Sequence, residues 1–228
     1  MLTIYMSLSS QVSSSTSGEQ GINVSMLAFV NAAGKAFPGV FIYPRKHVDL
    51  QKMTDLPDGF LPLAHQTGWM NDELFLLSLN YLKNQVVCSP EDPILLTCDN
   101  HSSHISYPVV EYCKNNGIVL FTLPPHTSHV LQPLDKGLFG PMKEDIKTEH
   151  REWMRLHPGQ RIGIYDVPRL TNGPYHRRFT PQNIKSAFAA CGIFPFNRHA
   201  IDERMFAPAS VTDLPLGKRN STINLHFP

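Results

Sequence analysis

The period of the apolar positions changes repeatedly along this chain, and the changes mark its elements. In residues 22 to 30, INVSMLAFV, alternation puts Ile22, Val24, Met26, Ala28 and Val30 on one face; NAAGK then supplies turn chemistry before FPGVFIYP resumes the apolar pattern. This predicts a β-hairpin. Pro38 withholds a ladder donor inside the second strand, so that strand is expected at a sheet edge or with a bulge. Residues 44 to 68 have no clear period. Asn71 then precedes Asp72, Glu73 and LFLLSLNYLKN, an N-capped helix with two carboxylates in its positive first turn and Leu74, Leu77 and Tyr81 at helical spacing.

The next segment reads strand, helix, strand. ILLTCD is a continuous apolar run of the kind buried on both faces. SYPVVEYCKNNG has Ser106 as cap, Pro108 in the first turn and Asn116-Gly117 as a left-handed stop, and IVLFTL is a second buried strand. Short connections make residues 94 to 123 a βαβ unit with parallel strands and a right-handed crossover. Residues 133 to 157 are mostly helical, with Gly137, Gly140 and Pro141 kinking or delaying the helix. A last helix has Thr180 as cap, Pro181 at its first position, Ile184, Ala187, Phe188 and Cys191 on one face, and Gly192 as stop. The flanks are polar: SSQVSSSTSG at 9 to 18 reads as a linker, and the chain beyond Ala200 as a flexible tail. The expected division is a serine-rich segment at 1–21, a folded α/β domain at 22–200 and a tail at 201–228.

Composition narrows the function classes. The 228 residues are 42% hydrophobic and 17% charged with a formal net charge of +1, a globular composition able to bury a core without disulfides. Near-neutrality removes the simplest argument for nucleic-acid binding, which must then come from local patches. Cys88, Cys98, Cys113 and Cys191 form no CxxC pair and have no His at structural-zinc spacing, which fits a reduced intracellular compartment. No apolar cluster approaches the roughly 18 to 20 residues that span a bilayer, so no membrane is expected, and the start MLTIYMSLSS lacks the positive region of a signal peptide.

Asp99 stands at the carboxyl end of a buried strand, where open α/β sheets place their ligand crevices. CDNHSSH adds Asn100, His101 and His104, and the following strand ends in LPPHTSHVLQPLD, adding His126, His129, Gln132 and Asp135. Two neighbouring parallel strands would deliver both groups to one sheet edge. A carboxylate taken out of water needs a cation or donors, and a divalent metal is one such cation. An Asp-Asn dipeptide serves equally to cap the loop after it. The His-x-x-His pairs, His101 with His104 and His126 with His129, suit zinc by residue type but match no zinc spacing, and a loop-stabilising role stands beside it.

The stretches LLTCDNHSSHIS, NGIVLFTLPPHTSHVLQPLDKGLFGPMK, NVSMLAFVNAAGKAFPGVFIYPRK and TPQNIKSAFAACGIFPFNR closely resemble the DDE superfamily endonuclease domain of pogo-type transposases, the group with Tigger-, Jerky- and centromere-protein-B-like proteins, over about residues 11 to 200. The resemblance implies a ribonuclease-H-like mixed sheet flanked by helices. In it, three acidic residues bind two Mg²⁺ or Mn²⁺ ions for hydrolysis and transfer of DNA phosphodiesters. Asp99 matches the second acidic residue and Asp135 the third, as catalytic metal ligands, with 35 residues between them. Asn100, His101, His104, His129 and Gln132 match positions that support the ligands or face DNA. DNA as partner, a nuclear location and room for a homo-oligomer follow from the same resemblance.

The first acidic residue has no counterpart. In the family it lies on a strand ahead of the hairpin, whereas the one acid before the hairpin here is Glu19, in the serine-rich loop. The domain is therefore expected to be truncated at its amino end, with its first, central strand missing; LTIYMSL, within residues 1 to 10, offers a substitute strand without a carboxylate. The family's helix-turn-helix modules have no counterpart either. Three readings follow: a transposase-derived domain that binds nucleic acid without cutting it, an active Mg²⁺-dependent endonuclease completed by another segment or partner, and a non-catalytic interaction module. The first fits best. Between Pro133 and Arg178, nine Lys or Arg stand against six acids, and Lys143, Lys147 and Arg151 recur at helical spacing, either as a phosphate-facing stripe or as an ordinary solvated face.

Overall fold

The computed structural model describes residues 3–8, 23–49 and 56–206. Its sheet contains β1 (Thr3–Leu8), β2 (Ser25–Asn31), β3 (Ala36–Pro44), β4 (Leu61–His65), β5 (Ile94–Cys98) and β6 (Ile118–Thr122), in the order β4-β3-β2-β1-β5-β6. β1 to β3 form an antiparallel meander, β5 and β6 continue it in parallel from β1, and β4 lies parallel to β3. This is the ribonuclease-H-like mixed α/β order. The expected gap at its centre is filled: Thr3–Leu8 lies between β2 and β5, the place the substitute strand LTIYMSL was suited to. An empty slot there would leave two interior ladders unpaired, so an apolar segment able to bond to both is stabilised in it.

The helices are α1 (Asp72–Lys83), α2 (Tyr107–Asn115), α3 (Ser128–Leu131), α4 (Phe139–Leu156), α5 (Asp166–Arg178) and α6 (Pro181–Ala190), with a π-helical turn, Leu134–Leu138, leading into α4. They cover both faces of the sheet. α1 and α2 close one core, in which Phe75, Leu79 and Val109 pack with Leu27, Phe29 and Leu96; α4 to α6 close the other, in which Phe139, Met142 and Phe188 pack with Met26, Ala28 and Val30. The alternation over 24 to 30 thus marks one face correctly, Ile22 lying outside the described residues, but the intervening residues are buried as well, because β2 is interior.

Local signals account for most element boundaries. Asn71 accepts the Leu74 N–H at 2.9 Å and Thr180 accepts the Asn183 N–H at 3.3 Å, capping α1 and α6. Pro38 creates a bulge, not an edge: the β2–β3 register shifts between Leu27 and Phe29, and a Cβ at Gly39 would sit 2.1 Å from the Leu27 carbonyl oxygen. Leu77 is half exposed, because the buried face of α1 is Leu74, Phe75, Ser78, Leu79 and Leu82. All four cysteines are free and buried. The expected serine-rich linker lies outside the described residues, as does the tail beyond Phe206, while Glu203–Phe206 forms a short 3₁₀ turn. Among the described residues no helix is long and apolar enough to cross a membrane.

Candidate active site

β5 and β6 pair in parallel from Ile94 with Ile118 to Cys98 with Thr122, and the Leu123 N–H donates to the Cys98 carbonyl at 2.8 Å. Both following loops therefore leave from the same edge of the sheet. Asp99, the first residue after β5, has its side chain 26% exposed. Its Oδ1 accepts from His104 Nδ1 at 2.7 Å and from the His101 backbone N–H at 3.2 Å, an Asx-type turn that realises the capping role of an Asp-Asn pair. Burial pushes the Asp99 carboxyl up, but the hydrogen bond and charge interaction with His104, with the His101 amide, outweigh it and hold the group below the ordinary carboxylate range.

His104 does not face outward. Its ring is fully buried against Phe75 of α1, with centroids 4.3 Å apart, so it supports Asp99 from beneath and cannot meet DNA. His101 and Asn100 are exposed; His101 caps the short turn Ser102–His104, accepting the Ser103 N–H at 3.3 Å. Phe75 was not singled out by sequence reasoning, and only the helix phase beginning at Leu74-Phe75 would have pointed to it.

After β6 the chain turns at Pro124 to Thr127, closed by Thr127 Oγ1 donating to the Pro124 carbonyl at 2.7 Å. His126 there adopts φ 61°, a left-handed conformation uncommon for a non-glycine residue. His126 and His129 are exposed, and Gln132, at the end of α3, is fully buried. Asp135 is half-buried in the π-helical turn, a device that inserts one residue into a helix and re-aims its side chains. That turn packs against β1 and α6; a Cβ at Gly137 would lie 2.8 Å from the Ala187 Cβ.

β1 is thus the element common to both aspartates, since it pairs with β5 and supports the turn that holds Asp135. Continuing the β1–β5 register past Tyr5 and Thr97 brings Ser7 level with Asp99, and Thr3–Leu8 contains no acid. Among the described residues no group of three or more His, Cys, Asp or Glu is arranged to hold a metal ion. One Asp99 oxygen is already engaged by His104, and β1, between β2 and β5, offers no carboxylate.

The candidate phosphate stripe on α4 has the expected spacing but is partly engaged. Lys143 is half-buried, Lys147 pairs with Glu144 at 2.6 Å, and Arg151 bends back to the Lys147 carbonyl at 3.3 Å and the Thr148 hydroxyl at 3.2 Å. Between α4 and α5, Arg178 makes a two-pronged contact with Asp145 at 2.8 Å for each prong, and Arg177 reaches Glu149 at 2.7 Å. The Arg178 hydrogen bond is the main reason the Asp145 carboxyl lies below its ordinary range.

A family model described as DDE superfamily endonuclease matches residues 23–163. The chain is 30% identical over 177 residues to a Cochliobolus lunatus protein named MFS-type transporter clz9; the match takes in 75% of this chain and 19% of that protein, so the chain spans about a fifth of that relative's length. Among solved structures, the catalytic domain of Mos1 mariner transposase is similar at 12% identity and a TM-score of 0.36, over 82% of each chain. The Mos1 strand transfer complex is similar at 13% identity and a TM-score of 0.41, over 83% of this chain and 54% of that one. An intasome of simian T-cell lymphotropic virus in complex with PP2A regulatory subunit B56 gamma is similar at 12% identity and a TM-score of 0.40, over 80% of this chain and 53% of that one. The family match covers more than half of the chain and includes the hairpin, Asp99 and Asp135, and on that ground the chain belongs to the DDE superfamily endonuclease family.

Proposed function

We propose that this is a transposase-derived DDE domain of the pogo type that binds DNA in the nucleus and, as a single chain, does not cut it. The observation that carries the reading is the composition of the central strand: Thr3–Leu8, which pairs with β5 up to Tyr5 opposite Thr97, contains no acid. Two-ion phosphoryl chemistry with Mg²⁺ or Mn²⁺ needs hard oxygen ligands that hold both cations in near-octahedral geometry, and Asp99 and Asp135 alone are too few. With Asp99 engaged by His104, no metal-assisted step is assigned to this chain. Family membership supports a nucleic-acid partner, because an endonuclease domain is shaped to lie along one.

The test is incubation of the purified chain with supercoiled plasmid and Mg²⁺ or Mn²⁺, beside an Asp99→Ala, Asp135→Ala double variant. Neither should nick the plasmid, while the parent binds duplex DNA with an affinity that falls steeply with salt and shows little sequence preference. Metal-dependent nicking by the parent and not by the double variant would make it an active enzyme. No binding at low ionic strength would make it an interaction module.

A further inference from the structure

No acidic residue occurs between Asp166 and Asp202, or between Glu19 and Asp49. The fold brings these two acid-free segments together. A Cβ at Gly34, in the β2–β3 turn, would lie 2.9 Å from the Pro181 carbonyl oxygen and 3.0 Å from Lys185 Cε, so the hairpin tip rests on the first turns of α6. Lys35 and Lys185 are both exposed at this end, and neither has an acidic partner among the described residues; the Lys35 ammonium sits instead 4.6 Å above the Phe37 ring.

The other end of α6 lies about 15 Å away, at 1.5 Å of rise per residue. There the chain turns at Gly192, with the Asn197 N–H donating to the Gly192 carbonyl at 2.8 Å, and presents Phe194 at 57% exposure, Phe196 at 83%, and the exposed Arg198. The helix between packs its buried face on the turn that holds Asp135.

Two phenyl rings exposed to water, with Arg198 two residues beyond the second and no acid from Val167 to Ile201, match one ligand chemistry in particular. Every nucleobase has a face that stacks on an aromatic ring, and its phosphates take up Lys and Arg. A duplex offers the phosphates but keeps its base faces stacked inside, so rings at Phe194 and Phe196 would have nothing to cover.

We propose that this face, from Lys35 and Lys185 at one end of α6 to Phe194, Phe196 and Arg198 at the other, binds single-stranded nucleic acid, with bases on the rings and phosphates on the cations. The inference rests on the reading of the chain as DNA-binding and deepens it by naming the strand form and the face.

Fluorescence anisotropy of a labelled oligothymidylate and of a duplex of equal length, titrated with the full chain at several salt concentrations, tests it. Phe196→Ala, at a ring too exposed to support the fold, should weaken single-strand binding about tenfold, and Phe194→Ala with Phe196→Ala should weaken it on the order of a hundredfold, with duplex binding changed less than about threefold. Lys35→Ala, Lys185→Ala and Arg198→Ala together should lower the single-strand salt slope by about 2, near 0.7 per cation. Arg155→Ala, a charge elsewhere on the surface, should change nothing. If the parent binds the single strand and every variant binds it equally, the inference falls while the DNA-binding reading stands. If the parent binds neither probe, both fall. If the double Phe variant keeps its nucleic-acid affinity but loses concentration-dependent self-association, the rings dock a second copy of the chain and the inference is overturned.

Discussion

Both the α4–α5 pair and the face along α6 present Lys and Arg at the surface, yet they dispose of the charge differently. On α4 and α5, Lys147 pairs with Glu144, Arg155 with Glu152, Arg169 with Asp166, Arg177 with Glu149 and Arg178 with Asp145. Three of these pairs are neighbours on one helix turn; those of Arg177 and Arg178 join two helices. At the start of α6, Lys35 and Lys185 have no acidic partner among the described residues. A positive excess counted along the sequence therefore points first to residues 133 to 178, where cations act as structural partners, and passes over Lys35, Lys185 and Arg198, where they stand apart. Where acids are missing is the better guide to a phosphate-facing surface than where bases are many.

The largest expected effect breaks or confirms this contrast directly. Reversing Lys35, Lys185 and Arg198 to Glu should lower single-strand affinity at low salt by on the order of a hundredfold or more, since each cation lost removes one counterion-releasing contact. Reversing Lys147 and Arg151 on α4 should cost less than about tenfold in the same titration. Equal losses would show that the pairs on α4 open in the bound state, and the contrast would not hold.

Next in size is stability. Asp145→Ala removes both prongs of the Arg178 contact and the longer Arg177 contact at 3.5 Å, so urea unfolding at neutral pH should show a loss of about 1 kcal/mol; Lys185→Ala should stay within about 0.5 kcal/mol. The pH dependence has a definite sign. The Asp145 carboxyl is lowered in the folded state, so its contribution is fully present above the unfolded value near 3.9 and is lost as pH falls through the folded value. The difference between parent and Asp145→Ala should therefore be constant above about pH 5 and shrink in stronger acid. A difference that persists unchanged in strong acid would mean that the substitution acts through packing and not through the ion pair.

The same contrast explains how much was legible in the sequence. Caps at Asn71 and Thr180, the stop at Gly192, the hairpin and the βαβ unit rest on chemistry within a few residues, and all are found where the pattern puts them, except that IVLFTL is an edge strand with Val119 and Phe121 about half exposed and not a buried one. β4 was missed because LPLAH is a half-buried parallel strand with a proline and no clean alternation. α5 was missed because Pro168, Gly173 and Pro174 disfavour a helix, and its charged pairs with α4 are invisible without the fold. At the candidate site, the placement of Asp99 at the end of a buried strand was readable. That His104 turns inward was not, because its orientation is fixed by Phe75, far back in the sequence, and not by the His-x-x-His spacing.

The smallest effect sharpens the comparison most. Glu144→Gln releases Lys147 from a contact of 2.6 Å between side chains that are 68% and 65% exposed. Such a pair contributes about 0.2–0.5 kcal/mol, so stability should change by no more than about 0.5 kcal/mol. For nucleic acid the change removes one negative charge and frees one ammonium. If α4 points away from the bound strand, affinity at low salt should rise less than about twofold, because the freed charge acts only through a screened field about a Debye length or more away. If α4 lies against phosphates, the freed Lys147 becomes a new contact, and the salt slope steepens by about 0.7–0.9 along with a gain of up to about tenfold. The contrast between the two faces predicts the first outcome. The second would show that α4 is a phosphate-binding surface held in check by its own acids, and that it differs from α6 in degree and not in kind.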